Sequence, residues 1–291
     1  MIKRHRGLVT LGVFLVLLSA CSKSPSSYSS KSSTPSKDEI SNYQNTADDV
    51  ITKIKRHPIN NGYLTLDIEL ANDGNKMMKS SLKGAFRNQP FIMEVDTHSS
   101  AGEVSGNSKE WADEENIYLA PTGTKWYKAK KKSEIVDINA LKNNLATNTN
   151  KFINPPTKIK RELKLKDTKN KYILCLVTKS QDKAVFREFA RSVLEMTGQN
   201  SEGLGMNKQI LKDAHLNNLT MKETINKSNY QVEKLEITFE MLYKEIEIKE
   251  KETIDKIGKY NNLQLPSKVK KAEPLSQDVI NKMNSISSTD E

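Results

Sequence analysis

The stretch Leu235-Glu236-Ile237-Thr238-Phe239-Glu240-Met241-Leu242-Tyr243 decides the fold. Leu235, Ile237, Phe239, Met241 and Tyr243 put apolar side chains at five alternate positions. A strand points successive side chains to opposite faces, so these five line one side; a helix would scatter them around its axis. The rival is a Glu/Lys-rich helix held by i,i+4 ion pairs. Strict period two across nine residues selects the strand.

The same alternation extends in both directions. Upstream, residues 216–225 read as a strand that turns through Asn226-Lys227-Ser228-Asn229 into the quoted stretch, and Ile246 and Ile248 start the next. Leu263 to Val269 reads as a last strand, followed from Glu273 by polar chain. Near the front, Leu64, Leu66, Ile68 and Leu70 alternate, and Asn72-Asp73-Gly74-Asn75 is a hairpin turn. Strands at 76–86 and 90–97, a polar loop at 98–109 and a hairpin of 115–120 with 125–128 complete a meander. Two further strands are expected at 158–166 and 171–178.

Helical spacing marks four segments. Ser36 and Glu39 form a capping box ahead of a helix at 37–55, which carries Val50, Ile51 and Ile54. Ile135, Ile138, Leu141 and Leu145 share one face of 133–145. Ser180 caps a helix over 180–198, and Met206 to Ala214 forms a short fourth. The fold class expected from this order is α+β, a large curved antiparallel sheet (a half-barrel) covered on its concave side by helices.

The first residues read as an address. Lys3, Arg4 and Arg6 precede an apolar run from Gly7 to Leu18, about half the length that spans a bilayer. Leu18-Ser19-Ala20-Cys21 then resembles the lipobox of bacterial lipoproteins, which implies cleavage before Cys21 and a diacylglycerol on its sulfur. Two acyl chains on one residue suffice for stable anchoring. The expected division is a signal peptide at 1–20, a Ser-rich tether at 21–36, one domain at 37–270 and a flexible polar tail at 271–291. Ser22 to Ser36 holds nine serines and no apolar surface to bury, and as a flexible coil it spans roughly 20–24 Å. The protein is therefore expected on the extracytoplasmic face of the cell membrane, lipid-anchored through Cys21. The formal charge of +10 falls to +7 without the basic leader residues, which favours anionic lipid or wall polymer as a neighbour. With Cys21 lipidated, Cys175 has no partner for an internal disulfide and is expected as a small buried core residue.

Two motifs carry a resemblance. They are Ile117-Tyr118 with Gly123 and Lys125-Trp126-Tyr127-Lys128, and Thr224-Ile225-Asn226-Lys227-Ser228-Asn229-Tyr230-Gln231. With the element order, they make residues 37–270 similar to an uncharacterised family of Firmicute lipoproteins built on the LolA/LppX-like half-barrel. Asn226 stands where that family has Asp, and the family's Met-rich strands are reduced to Met77 and Met78. The resemblance implies a gap between sheet and helices that takes acyl chains.

Catalytic chemistry is not expected. His57, His98 and His215 stand apart from any ligand-spaced partner, so neither metal nor cofactor is expected. Phosphate loops, nucleophile elbows and dinucleotide fingerprints are missing from the sequence. Ser180-Gln181-Asp182-Lys183 matches the Ser-x-x-Lys of penicillin-binding enzymes but lacks their downstream Lys-Thr-Gly, and Ser180 is better read as a helix cap. Lys128 to Lys132 and Lys158 to Lys166 are basic stretches, read as solvated faces or contacts with an anionic polymer rather than nucleic acid. The function expected is non-catalytic binding of a hydrophobic or lipid-like ligand. On the sheet, Leu66, Ile68, Met78 and Leu82 are candidates to line the site, as are Phe91, Met93, Phe239 and Met241; Phe186 and Phe189 are the helical candidates. The alternative is an envelope interaction module that meets a protein or wall polymer through its basic surface.

Overall fold

The computed structural model describes residues 46–54, 57–102, 104–121, 124–130, 157–179, 215–276 and 278–279. β1 (Asn61–Asn72), β2 (Asn75–Asn88), β3 (Phe91–Ala101), β4 (Val104–Asp113), β5 (Asn116–Ala120) and β6 (Tyr127–Lys130) form an antiparallel meander. β7 (Lys164–Asp167), β8 (Lys171–Lys179), β9 (His215–Asn226), β10 (Val232–Tyr243) and β11 (Ile246–Asp255) form a second. β11 returns beside β1 and joins the two, while β12 (Glu273–Pro274) runs parallel to β6. The result is one twelve-stranded sheet in the order β12-β6-β5-β4-β3-β2-β1-β11-β10-β9-β8-β7.

The quoted stretch is thus a strand, and a central one. Leu235, Ile237, Phe239 and Met241 are all buried on one side of β10, as period two requires. The Asp73-Gly74 turn has positive φ at both central residues, 48° and 76°, the type I′ geometry that matches strand twist.

The expected half-barrel is not what the chain forms. The sheet is a single open layer whose terminal strands, β12 and β7, do not meet, and it is mixed rather than purely antiparallel. Curling a sheet needs extra residues inserted repeatedly from strand to strand. Here the ladders of β1 with β2 and of β9 with β10 shift only at Leu70/Ala71, Val232/Lys234 and Glu240/Met241. The described helices are short: α1 (Ala47–Ile54), α2 (Thr157–Glu162) and α3 (Ser267–Lys270). The expected helices at 133–145, 180–198 and 206–214 lie outside the described residues, as does the expected start of α1 at 37–45.

Other boundaries also move. The expected polar loop at 98–109 is the paired end of β3 and the start of β4, with His98 opposite Asn107 and Ser99 opposite Gly106. The expected strand at 158–166 begins as α2, because Ile159 and Leu163 are four apart and both bury into the main core. The expected strand at 263–269 is irregular chain ending in α3, and the sequence expected to be loose from Glu273 pairs as β12. Cys175 lies on the outward side of β8, between Lys164 and Lys222 in register, and is half-buried and free rather than a core residue. Thr46 caps α1: its hydroxyl accepts from the Asp49 N–H at 3.2 Å, and Asp49 Oδ2 accepts from the Thr46 N–H at 2.9 Å.

Two cores flank the sheet. The larger packs Val50, Ile51 and Ile54 of α1, Ile159 of α2 and Leu163 just after it against the strand face that carries Leu64, Leu82 and Leu235. The smaller lies on the back of β3–β5, where Ile92, Trp111, Tyr118 and Trp126 meet Val269 and Ala272 of the C-terminal segment. Asn61, 4% exposed, latches that segment: its Nδ2 donates to Asn261 Oδ1 at 2.7 Å and its Oδ1 accepts from Tyr260 N at 3.0 Å. Arg87 donates to the Asn261 carbonyl, and Tyr63 stacks on Tyr260 at 6.1 Å. Asn61→Ala is expected to lose about 2 kcal/mol in urea unfolding. It is also expected to speed hydrogen exchange across residues 258–276 ahead of the rest of the sheet.

Candidate functional site

Strand register places the inward side chains in rows across the sheet. One row reads Phe239, Glu250, Ile68, Ser80, Ser99. The next reads Ile237, Glu252, Leu66, Leu82, Thr97, Ser108. The third runs through Leu174, Glu223, Leu235, Ile254 and Leu64. Beyond Phe239 lies Met241, Ile248, Leu70, Met78, and this outer row is half-buried at Ile248, Leu70 and Met78.

The eight sheet residues singled out from the sequence fall on this face. Leu66, Leu82, Phe91 and Met93 are buried, as are Phe239 and Met241, whereas Ile68 and Met78 keep some exposure. Phe186, Phe189 and Cys21 lie outside the described residues. The structure therefore brings the sheet candidates onto one face, with Glu250 between Phe239 and Ile68 and Glu252 between Ile237 and Leu66.

What sequence reading missed is the set of glutamates on that surface. Glu223 is 1% exposed and both its carboxyl oxygens are buried without a hydrogen-bond partner. Burial pushes its carboxyl up to about 8. Glu250 is pushed up to about 8 by burial and then by the Glu252 charge, and Glu252 to about 7 by burial. Both keep part of their surface in solvent, so Glu223 is the firmer case. Across the sheet, Glu110 is buried, held well above the usual carboxylate range by desolvation; one oxygen accepts from Ser108 at 3.4 Å and the other has no partner. Two rows away, Ser80 and Ser99 hydrogen-bond to each other at 2.8 Å. The signal was present in the parity: Leu219, Met221, Glu223, Ile225 is an inward series with one carboxyl in it.

The two recurrent motifs prove to be structural joints. Trp126 is buried against the C-terminal segment, its carbonyl accepts from Glu273 N at 3.0 Å, and Lys125 pairs with Glu273 at 2.9 Å. In the turn between β9 and β10, Tyr230 takes a left-handed φ of 54°. Its ring stacks on Tyr172 at 5.7 Å and its hydroxyl accepts from Lys53 Nζ of α1 at 2.8 Å. That hydrogen bond lowers the Tyr230 hydroxyl from its ordinary value and raises Lys53. The turn thus ties α1 to the end of the sheet.

The described parts of the two basic stretches lie at opposite edges. Lys128 and Lys130 are exposed on β6, and Lys164 and Lys166 on β7. β12 covers part of β6, whereas β7 is an edge strand, where exposed charges oppose strand-to-strand association. Among the described residues no three His, Cys, Asp or Glu side chains are grouped to hold a metal, and no helix is long and apolar enough to cross a membrane.

Residues 46–274, from the cap of α1 to the end of β12, match a single family model. The chain belongs to DUF6612, a family of unknown function. No curated protein matches the chain. Among solved structures, it is similar to a LolA superfamily protein from Nitrosomonas europaea, at 10% identity and a TM-score of 0.24, covering 78% of this chain and 97% of that one. A DUF1329 family protein from Desulfovibrio piger ATCC 29098 is similar at 5% identity and a TM-score of 0.21, covering 73% of this chain and 92% of that one. Of the resemblance expected from the motifs, the match shows an uncharacterised family, DUF6612, and not a specific Firmicute lipoprotein family.

Proposed function

We propose that this DUF6612 chain is a lipid-anchored extracytoplasmic protein that holds an apolar, lipid-like ligand against the inward face of its sheet, without catalysis. The observation that carries the reading is the inward row of Met241, Ile248, Leu70 and Met78. Leu70, Met78 and Ile248 stay half-buried, as does Ile68 in the row behind, while Leu66, Leu82, Leu235 and Ile237 further in are buried, so apolar side chains continue from the core to the surface. A binding surface of this kind acts by shape and desolvation. The anchor rests on Leu18-Ser19-Ala20-Cys21, and the short tether keeps the domain within reach of the bilayer.

Native mass spectrometry on protein extracted from its own membranes tests both parts. Cys21 is expected to carry the mass of a diacylglycerol, and the folded chain to retain a second, non-covalent apolar molecule. Met78→Asp is expected to reduce that retained fraction severalfold by placing a charge in the outer row. Preparations that are repeatedly empty, or equally loaded in the variant, count against the site.

A further inference from the structure

We propose that the ligand of the inward face is an apolar molecule bearing a protonated amine, and that Glu223, with Glu252 and Glu250 beyond it, receives that cation. The inference deepens the apolar-ligand reading and rests on it.

The chain treats its outward and inward carboxylates differently. On the same strands, outward Glu236 pairs with Lys234 at 2.8 Å and Lys222 at 3.5 Å, and Glu233 pairs with Lys171 at 2.8 Å. Inward, the described positions of β1–β5 and β8–β11 hold four glutamates and no lysine or arginine. Glu223 has Leu174 and Leu235 beside it in register and Met221 and Ile225 along its strand, every one of them buried and apolar. An unpartnered carboxyl among such neighbours costs several kcal/mol when ionised unless a cation or donor meets it.

Geometry groups three of the four. Glu250 and Glu252 are two residues apart on β11, about 7 Å. Glu223 lies two strands away from Glu252 and one pair along, about 10 Å across and 7 Å on. Glu110 is in the same row as Glu223 but far across the sheet, beside Thr97 and Ser108, and stands outside the group. Three carboxyls around Ile237 and Leu235 make a greasy surface that is neutral while they keep their protons and turns negative where a cation draws a proton off. It attracts an ammonium headgroup and repels a carboxylate or phosphate one.

The test uses the full lipidated chain in nanodiscs of zwitterionic lipid at pH 7. Dodecylamine, dodecanol and dodecanoate, which share one chain length, are titrated calorimetrically against empty discs. Dodecylamine is expected to bind at least about tenfold tighter than dodecanoate, with dodecanol between them. Glu223→Gln is expected to bring the amine within about threefold of the alcohol, while Glu110→Gln keeps the full preference. If Glu223→Gln does not fold, Glu252→Gln is expected to show the same loss. Equal binding of all three probes leaves the apolar-ligand reading standing and overturns the amine inference. Binding of none removes the reading itself and the inference with it. A preference that survives in Glu223→Gln and Glu252→Gln, or is lost equally in Glu110→Gln, also overturns it.

Discussion

Gly84→Ala is expected to destabilise the protein by at least about 3 kcal/mol, the largest single effect among the substitutions considered. A Cβ at residue 84 would sit 1.9 Å from the Glu94 carbonyl oxygen, 2.9 Å from its carbon and 3.0 Å from the Val95 Cα. All three are backbone atoms, so no rotamer change relieves the clash. The position lies in the gap of the β2–β3 ladder between the Lys83–Asp96 and Phe86–Met93 pairs. Making room means moving β3 away from β2, which breaks the packing of Leu82, Phe86, Met93 and Val95, each 2% exposed or less. Gly62→Ala is the comparison: its nearest neighbours would be at 3.2 Å, one of them the Ile254 side chain, so a small adjustment suffices. Urea unfolding of both variants measures the difference. A Gly84→Ala midpoint within experimental spread of wild type would mean that the strands do not approach this closely in solution.

The same crowding explains part of what the sequence could and could not reveal. Where inward residues are apolar, as in Leu64-Thr65-Leu66-Asp67-Ile68 or in β10, period two reads directly as strand and the face is assigned correctly. Where inward residues are Ser80, Thr97, Ser99, Ser108 and Glu110, alternation is between polar and polar, and the joined ends of β3 and β4 look like a loop. The polar inward positions hid the strands and the buried carboxyls for one reason: burial is a property of the assembled sheet, not of hydropathy. Ile159 and Leu163 show the opposite failure, since an apolar pair four apart beside Leu165 fits both a strand pattern and one helical turn. The sheet's openness was least legible, because curvature depends on where ladders slip. Leu70/Ala71 and Glu240/Met241 carry no residue type that announces a shift. That the eight sheet candidates share a face was readable because each is an apolar residue at an alternate position of its strand. The Glu223 group required pairing each strand with its neighbours.

Glu223→Gln is expected to stabilise the protein increasingly as pH rises. Unfolded, the carboxyl titrates near 4.5; folded, burial holds it up to about 8. Below the lower value both states are protonated and the residue contributes no pH dependence. Between them the native state keeps a proton that the unfolded state has released, so stability falls as pH rises through this window, by as much as ~1.4 kcal/mol per pH unit. Glutamine cannot ionise and removes that slope. Its amide and the protonated wild-type carboxyl are both unpartnered buried polar groups, so the advantage over wild type is expected to be near zero at pH 4.5 and about 4 kcal/mol at pH 8. Glu236 and Glu233 act in the opposite direction, since lysine contacts hold their carboxyls below the usual range and their contribution is lost on acidification. Both variants carry those two groups, so subtracting the wild-type curve isolates Glu223. Urea unfolding at pH 4.5, 6 and 8 gives the difference curve. A curve that is flat across the three would mean that the carboxyl is ionised and paired in the folded protein, and the cation proposed for the inward face would then have no vacancy to fill.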